Sequence, residues 1–271
     1  MEAEAVVAGE SYKGLIAFDL DGTAIESHRD AMPSPDLVSV VSALQEENWY
    51  VATATSRPLP YCEKVIEALG LRGLNVVAGG AQVYDAGSRT DRPENVLLDE
   101  AGRLTELLRC IPYPCYIGET TFKPDEAVPT TEIDFSAGLS AIYFLGLEEQ
   151  DAKDIKYSVE ALHDTHKDPV RAVYIDSMLP GSDGLDVHVL SCDVSKGTGV
   201  QTIQRVAHIA FEDTIACGDG YNDLPLLQVA KRKVVMGNAD PKLIQALQGD
   251  VLRIGSVHED ALSIYLKTLL E

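Results

Sequence analysis

Apolar residues recur along this chain in two rhythms, short continuous runs and stretches with a helical period. The run GLIAF (14–18) is short and bounded by polar residues, which predicts a strand buried on both faces. In SPDLVSVVSALQEEN (34–48), Leu37, Val40, Val41 and Leu44 fall on one helical face. Ser34 suits the N-cap there and Pro35 the first helical position. WYVATAT (49–55) predicts a second strand, PLPYCEKVIEALG (58–70) a helix closed by Gly70, and NVVAGG (75–80) a third strand. An alternating order of this kind predicts a parallel sheet with helices packed on it.

From about 81 to 187 the rhythm breaks. LSAIYFLGL (139–147) and RAVYID (170–175) read as strands, with a helix over 148–164 between them. SDG (182–184) followed by LDVHVL (185–190) reads as a hairpin return, and the Pro- and Gly-containing stretch 112–138 as irregular. After 190 the first rhythm resumes. Helices are expected over 196–210, 222–231, 240–248 and 259–270, and strands at TIAC (214–217), KVVMG (233–237) and VLRI (251–254). The expected fold class is α/β, a Rossmann-like parallel-sheet core with an inserted α/β cap. The expected division is a loose tail (1–10), a core (11–83 and 188–271) and the cap (84–187).

Charge changes the picture of partners. The net charge of −21 makes nucleic acid and anionic membrane surfaces poor partners, since both select a basic face. No run approaches the ~18–20 apolar residues of a membrane span. The acidic start lacks the basic leader and apolar block of a secretory signal. The five cysteines are odd in number and none is spaced C-x-x-C, which argues against a disulfide framework or a zinc site and for a reducing cytoplasm. Cys217 lies among strand residues and reads as a small buried hydrophobe. His163, His166 and His188 show no metal-ligand spacing and are expected on the surface.

The chemistry gathers at predicted strand ends. Asp19 and Asp21 follow the first strand, Thr55 ends the second, and Asp219, Asn222 and Asp223 follow TIAC. Ligands of open parallel sheets bind at the carboxyl ends of the strands, so these groups would converge. Carboxylates that close repel unless a cation joins them, and hard oxygen ligands favour Mg²⁺. An EF-hand fails in detail: counting from Asp19, the sixth position is Ala24 and the twelfth is Asp30, and a strand precedes the loop.

The motifs FDLDGT, TATSRP, DVSKGTGV, GDGYND and MGNAD, in that order, resemble the haloacid dehalogenase superfamily phosphatases. The similarity is to the subgroup with a large α/β cap inserted after the third strand (Cof-type, class IIB). It covers both core segments, while the cap matches by length and position. The resemblance implies a phosphomonoester hydrolase with an aspartyl-phosphate intermediate, acting on a small phosphorylated metabolite such as a sugar phosphate. It implies Asp19 as nucleophile, Asp21 as general acid–base, and Thr55 and Lys196 as the other catalytic residues. It further implies Mg²⁺ held by Asp19, Asp219 and the Asp21 backbone carbonyl, with Asn222 and Asp223 completing or supporting the shell. Gly22, Thr23, Ser56, Arg57, Asn222 and Asn238 are the expected substrate-side residues. Thr23 is expected to orient Asp21, and Arg57 to reach a second anionic group or pin the following helix.

Two departures bear on specificity. Many relatives read TGR where this chain has Thr55-Ser56-Arg57, and Asn-Gly-Ala where it has Gly79-Gly80-Ala81. The alternatives to a phosphatase are a phosphomutase of the phosphomannomutase type and a non-catalytic module that binds phospho-metabolites. The protein is expected to act as a monomer or small homo-oligomer.

Overall fold

The computed structural model describes residues 12–93, 103–113, 115–118, 140–162, 170–177 and 182–271. The expected tail and both His163 and His166 lie outside these residues. The elements in order are β1 (Gly14–Phe18), α1 (Pro35–Glu46), β2 (Trp49–Thr53), α2 (Leu59–Ala68), β3 (Leu74–Val77), β4 (Gln82–Asp85) and β5 (Thr90–Pro93). Next come α3 (Arg103–Arg109), β6 (Tyr116–Gly118), β7 (Ala141–Leu147), α4 (Glu149–Glu160), β8 (Val170–Asp176) and β9 (Leu185–Ser191). The last are α5 (Lys196–Ala207), β10 (Thr214–Gly218), α6 (Leu224–Gln228), β11 (Arg232–Val235), α7 (Pro241–Ala246), β12 (Val251–Arg253) and α8 (Ala261–Lys267).

The central sheet has the order β12-β11-β10-β1-β2 and is parallel throughout. Its inner strands β1, β2 and β10 are buried on both faces because helices cover both, whereas the edge strand β12 is largely exposed. Ile16 and Phe18 face α1, α2 and α8, whereas Leu15 and Ala17 face α5, α6 and α7. Helix α1 starts where the sequence places it: the Ser34 hydroxyl accepts from the Leu37 N–H at 3.0 Å, and Leu37, Val40, Val41 and Leu44 are buried. A parallel bridge from Ala54 to Val76 hangs the antiparallel sheet β3-β4-β5 on this core. The hairpin β4–β5 is absent from the sequence expectations.

Four further strands form a third sheet, antiparallel and of order β6-β7-β9-β8. Its pairing confirms the return from β8 to β9. Ile142, Phe144, Val170, Ala172, Val187 and Val189 point from this sheet toward α3 and α4. The other face, with Ala141, Tyr143 and Leu190, packs on Ala78 and Ala81, between β3 and β4. Residues 116–118 form a strand within the stretch expected to be irregular. His188 is also a correction: it is buried, edge-on to Tyr143, because alternation along β9 sends it to the face shared with Leu190.

Gly80 marks where the chain leaves the core. It has φ +102°, and a Cβ there would collide with the backbone carbonyl of Ser195, at the return crossing. Gly80→Ala should therefore lose about 1–3 kcal/mol of stability through strain and displacement of the crossing. The urea midpoint of the variant against the parent measures this.

Candidate active site

The carboxyl ends of β1, β2 and β10 lie side by side, and the loops that follow them build the site. Asp19 follows β1. Its N–H donates to the Cys217 carbonyl at 3.0 Å, which fixes the side chain beside β10. Asp19 Oδ1 accepts from the Leu20 N–H at 2.7 Å and from Lys196 Nζ at 2.8 Å. Lys196 opens α5, whose start is fixed by reciprocal bonds between Ser195 and Thr198. Its ammonium also donates to Asp223 Oδ1 at 2.6 Å. Asp223 Oδ2 accepts from the N–H groups of Asp219 (3.0 Å) and Gly220 (2.9 Å), which folds the turn after β10.

Asp219 completes the group. It accepts from the Thr23 hydroxyl at 2.8 Å and from the Asn238 amide at 3.2 Å. Gly22 has φ +75°, and any side chain there would run into the Asp219 carboxylate. Asp19, Asp219 and Asp223 each bring a carboxylate oxygen within 4.8 Å of the others'. Burial, then the Asp223 charge, raises the Asp19 pKa well above the usual carboxylate range, with Lys196 pulling the other way. Burial, then Asp223, pushes Asp219 up to about 7 despite the Thr23 bond. Burial works against the Lys196 charge, but Asp19 and Asp223 together outweigh it and raise its pKa. One ammonium thus faces three carboxylates. That excess of hard oxygen donors fits a divalent cation of the Mg²⁺ type.

Asp21 stands apart from this group. Arg57 donates to it twice, from Nε to Oδ2 at 2.8 Å and from Nη2 to Oδ1 at 2.5 Å. The remaining Arg57 donors go to the carbonyls of His28, Arg29 and Tyr61. Arg57 is fully buried and all five of its N–H groups are spent, so it has none for a substrate. The expectation of a substrate contact is corrected, and the contact to Tyr61 in α2 matches the pinning role. Thr23 is corrected too: it orients Asp219, not Asp21. Asn238 spans Gly22 (2.8 Å), Asp219 and the Val257 N–H (2.9 Å) and so ties the loops together. Thr55 is buried, its oxygen accepting from the Arg57 N–H at 3.1 Å.

Above these groups lies a cleft of about 860 Å³, between the strand ends of the parallel sheet and β8. Asp19, Asp21, Lys196 and Asp219 line its floor, with Ser56 and Asn222 beside them. The Asn222 amide donates to the Ser56 hydroxyl at 3.0 Å, bridging the loops after β2 and β10. The opposite wall is Arg171 to Ile175 of β8, with Lys156 and Glu160 of α4. Sequence reasoning missed these cap residues, which follow no motif. It also missed the Asp21–Arg57 pair, for which the arginine in TSRP was the signal.

The chain as a whole is similar to several known proteins. A family model described as haloacid dehalogenase-like hydrolase matches residues 16–108 and 121–265. The chain is 24% identical over 263 residues to an HMP-PP phosphatase of Serratia proteamaculans, covering 93% of this chain and 94% of that one. It is 27% identical over 229 residues to a phosphoglycolate phosphatase of Natronomonas pharaonis, covering 83% and 85%. Among solved structures, the subclass IIB sugar phosphatase BT4131 has the same fold, with a TM-score of 0.69 at 18% identity over 94% of this chain and 98% of that one. With its motifs on adjoining strand ends and the family model spanning both core segments, the chain belongs to the haloacid dehalogenase-like hydrolases.

Proposed function

We propose that this hydrolase is a Mg²⁺-dependent phosphomonoesterase that passes the phosphoryl group through Asp19 and acts on a small phosphorylated metabolite, with sugar phosphates the favoured class. One observation carries the reading: Asp19 is bonded to buried Lys196 within a cluster of acids on the floor of the cleft. The named activities of the relatives, all phosphatases, support it.

The residues divide the work as follows. Asp19 Oδ1 is taken by Lys196 and the Leu20 N–H, which leaves Oδ2 to attack phosphorus. As the Asp19–phosphorus bond forms, the bond to the leaving oxygen breaks and Asp21 supplies that oxygen's proton. Water then attacks the aspartyl-phosphate and gives a proton to Asp21, releasing phosphate and restoring Asp19. These steps require the Asp21 side chain to turn from Arg57 toward the leaving oxygen. Lys196 neutralises charge shared by Asp19 and the phosphoryl group, and Thr55 donates its O–H to a phosphoryl oxygen. Asp19, Asp219 and the Asp21 carbonyl would hold Mg²⁺, with Asp223 beside them, and the ion would offset phosphoryl charge. Ser56 and Asn222 line the cleft beside the acid cluster and would face the substrate.

The proposed core is 11–83 with 188–271 and the proposed cap 84–187, the borders falling within β4 and β9. The cap would close over substrate and exclude water. Among the described residues no helix is long and apolar enough to cross a membrane. The odd number of cysteines, none spaced C-x-x-C, is what supports a reducing cytoplasmic setting.

Inorganic phosphate release from an aryl phosphate should require Mg²⁺ and stop with a chelator. Asp19→Asn should lower kcat by at least about 10³-fold, and Asp21→Asn by about 10²–10⁴-fold. Measuring free phosphate also separates a phosphatase from a mutase, which retains it. Unchanged turnover in Asp19→Asn refutes the reading.

The acid cluster also sets a pH dependence of stability. Asp219 moves from its ordinary 3.8 up to about 7 on folding, so between those values the folded chain holds a proton that the unfolded chain has lost. Stability of the metal-free protein should therefore fall as pH rises through this window. Mg²⁺ should raise Tm more at about pH 8 than at about pH 5.5, since it competes with protons. Asp219→Asn should raise the metal-free Tm, by about 2–4 °C for each ~1 kcal/mol of repulsion removed, and abolish the Mg²⁺ shift. Thermal melts with and without Mg²⁺ check both.

A further inference from the structure

The cap side of the cleft holds a cation with no assigned purpose. Arg171 lies on β8, on the strand face that carries Val173 toward the core, opposite the face of Val170 and Ala172. It is partly buried, and its guanidinium donates from Nε (3.1 Å) and Nη2 (2.7 Å) to one acceptor, the Val194 carbonyl. Among the described residues no carboxylate pairs with it. The other cations of the cleft differ. Lys196 has Asp19 and Asp223, Lys156 has Glu160 and lies over the Tyr174 ring, and Lys242 is exposed to water. Burial without an anion pushes the Arg171 pKa down.

A partly buried charge without a counter-ion is costly, so such a cation in a ligand cleft points to an anion delivered by the ligand. Acidic substrates are otherwise repelled by a chain of net charge −21, so a local cation is the physical means of accepting one. A guanidinium presents a planar fork that matches a carboxylate or phosphoryl group, and among the described residues Nη1 carries no bond.

We propose that Arg171 recognises a second anionic group, a carboxylate or a further phosphoryl group, on the leaving-group part of the substrate. The inference rests on the phosphomonoesterase reading, because it takes the scissile phosphate to lie at Asp19. The substrate class is thereby narrowed to phosphate esters of small acids, or bisphosphates, held between the acid cluster and the cap sheet.

The test uses the full-length Asp19→Asn protein with Mg²⁺, which holds an ester without turning it over. Calorimetric affinities are measured for 2-phosphoglycolate and 3-phosphoglycerate against glycerol phosphate, and for a hexose bisphosphate against the hexose monophosphate. The first set probes a carboxylate and the second a phosphoryl group. The acidic member should bind more tightly in at least one set. Arg171→Met should shrink that preference by about 10–100-fold, the scale of a charge-assisted bidentate contact, and Arg171→Lys should restore part of it. Far-UV circular dichroism and thermal melts establish that the variants are folded.

A preference that survives Arg171→Met overturns the proposal. So does an equal loss for acidic and neutral esters, which is what a merely structural tie to Val194 would give. So does the absence of any preference in either set. If aryl phosphate is hydrolysed but no preference exists, this inference falls and the phosphatase reading stands. If no ester is hydrolysed but an Arg171-dependent preference is measured, the phosphatase reading falls and what stands is an anion site at Arg171, without its assignment to a leaving group.

Discussion

Three carboxylates crowded against one buried ammonium are the constraint on which this molecule turns. Asp19, Asp219 and Asp223 come from two chain segments about two hundred residues apart, and each would be more comfortable in water. They are held together by the geometry of the parallel sheet, which sets the ends of β1 and β10 side by side, and by Lys196 at the head of α5. Gly22 makes room for Asp219, and the backbone of the 219–220 turn is folded onto Asp223. The packing of the core thus holds together an arrangement that on its own opposes folding.

Asp21 shows how closely two acids of one motif can differ. Two positions separate it from Asp19, yet its carboxylate points to a buried guanidinium instead of the acid cluster. Residues two apart on a continuous strand share a side, so it is the turn after β1, from Leu20 through Gly22 at φ +75°, that aims the two acids of the D-x-D motif differently. The Arg57 clamp also links this acid to α2 and to the carbonyls of residues 28 and 29, so its position is coupled to the loop on the cleft's edge.

Much of the core was legible in the sequence, because its strands are short apolar runs and α1, α5 and α7 begin at side-chain caps. The four apolar positions of α1 and the Ser34 cap appear where periodicity placed them. The acid cluster was legible for the same reason: strand ends can be located, and a parallel sheet brings them together. What was not legible lies in partner choice. Nothing in the spacing says that Thr23 bonds to Asp219 or that Arg57 spends every donor inside the protein. The hairpin β4–β5 was missed because its strands are short and polar, and His188 because a strand face buried against another domain looks no different in sequence from one facing solvent. Arg171 had no local signal, since its meaning depends on which cap face meets the core.

The central pairing of β1 with β10 has a consequence for how the chain matures on the ribosome. β1 lacks its inner neighbour until some two hundred further residues have been made, and during that time its apolar edge has only β2 beside it. The cap sheet, by contrast, draws its helix and paired strands from one contiguous segment and can close as soon as β9 emerges. Nascent chains should therefore carry a formed lid on an unfinished base. Closure of so long a loop makes completion of the base the slow step of folding, and the one most exposed to aggregation.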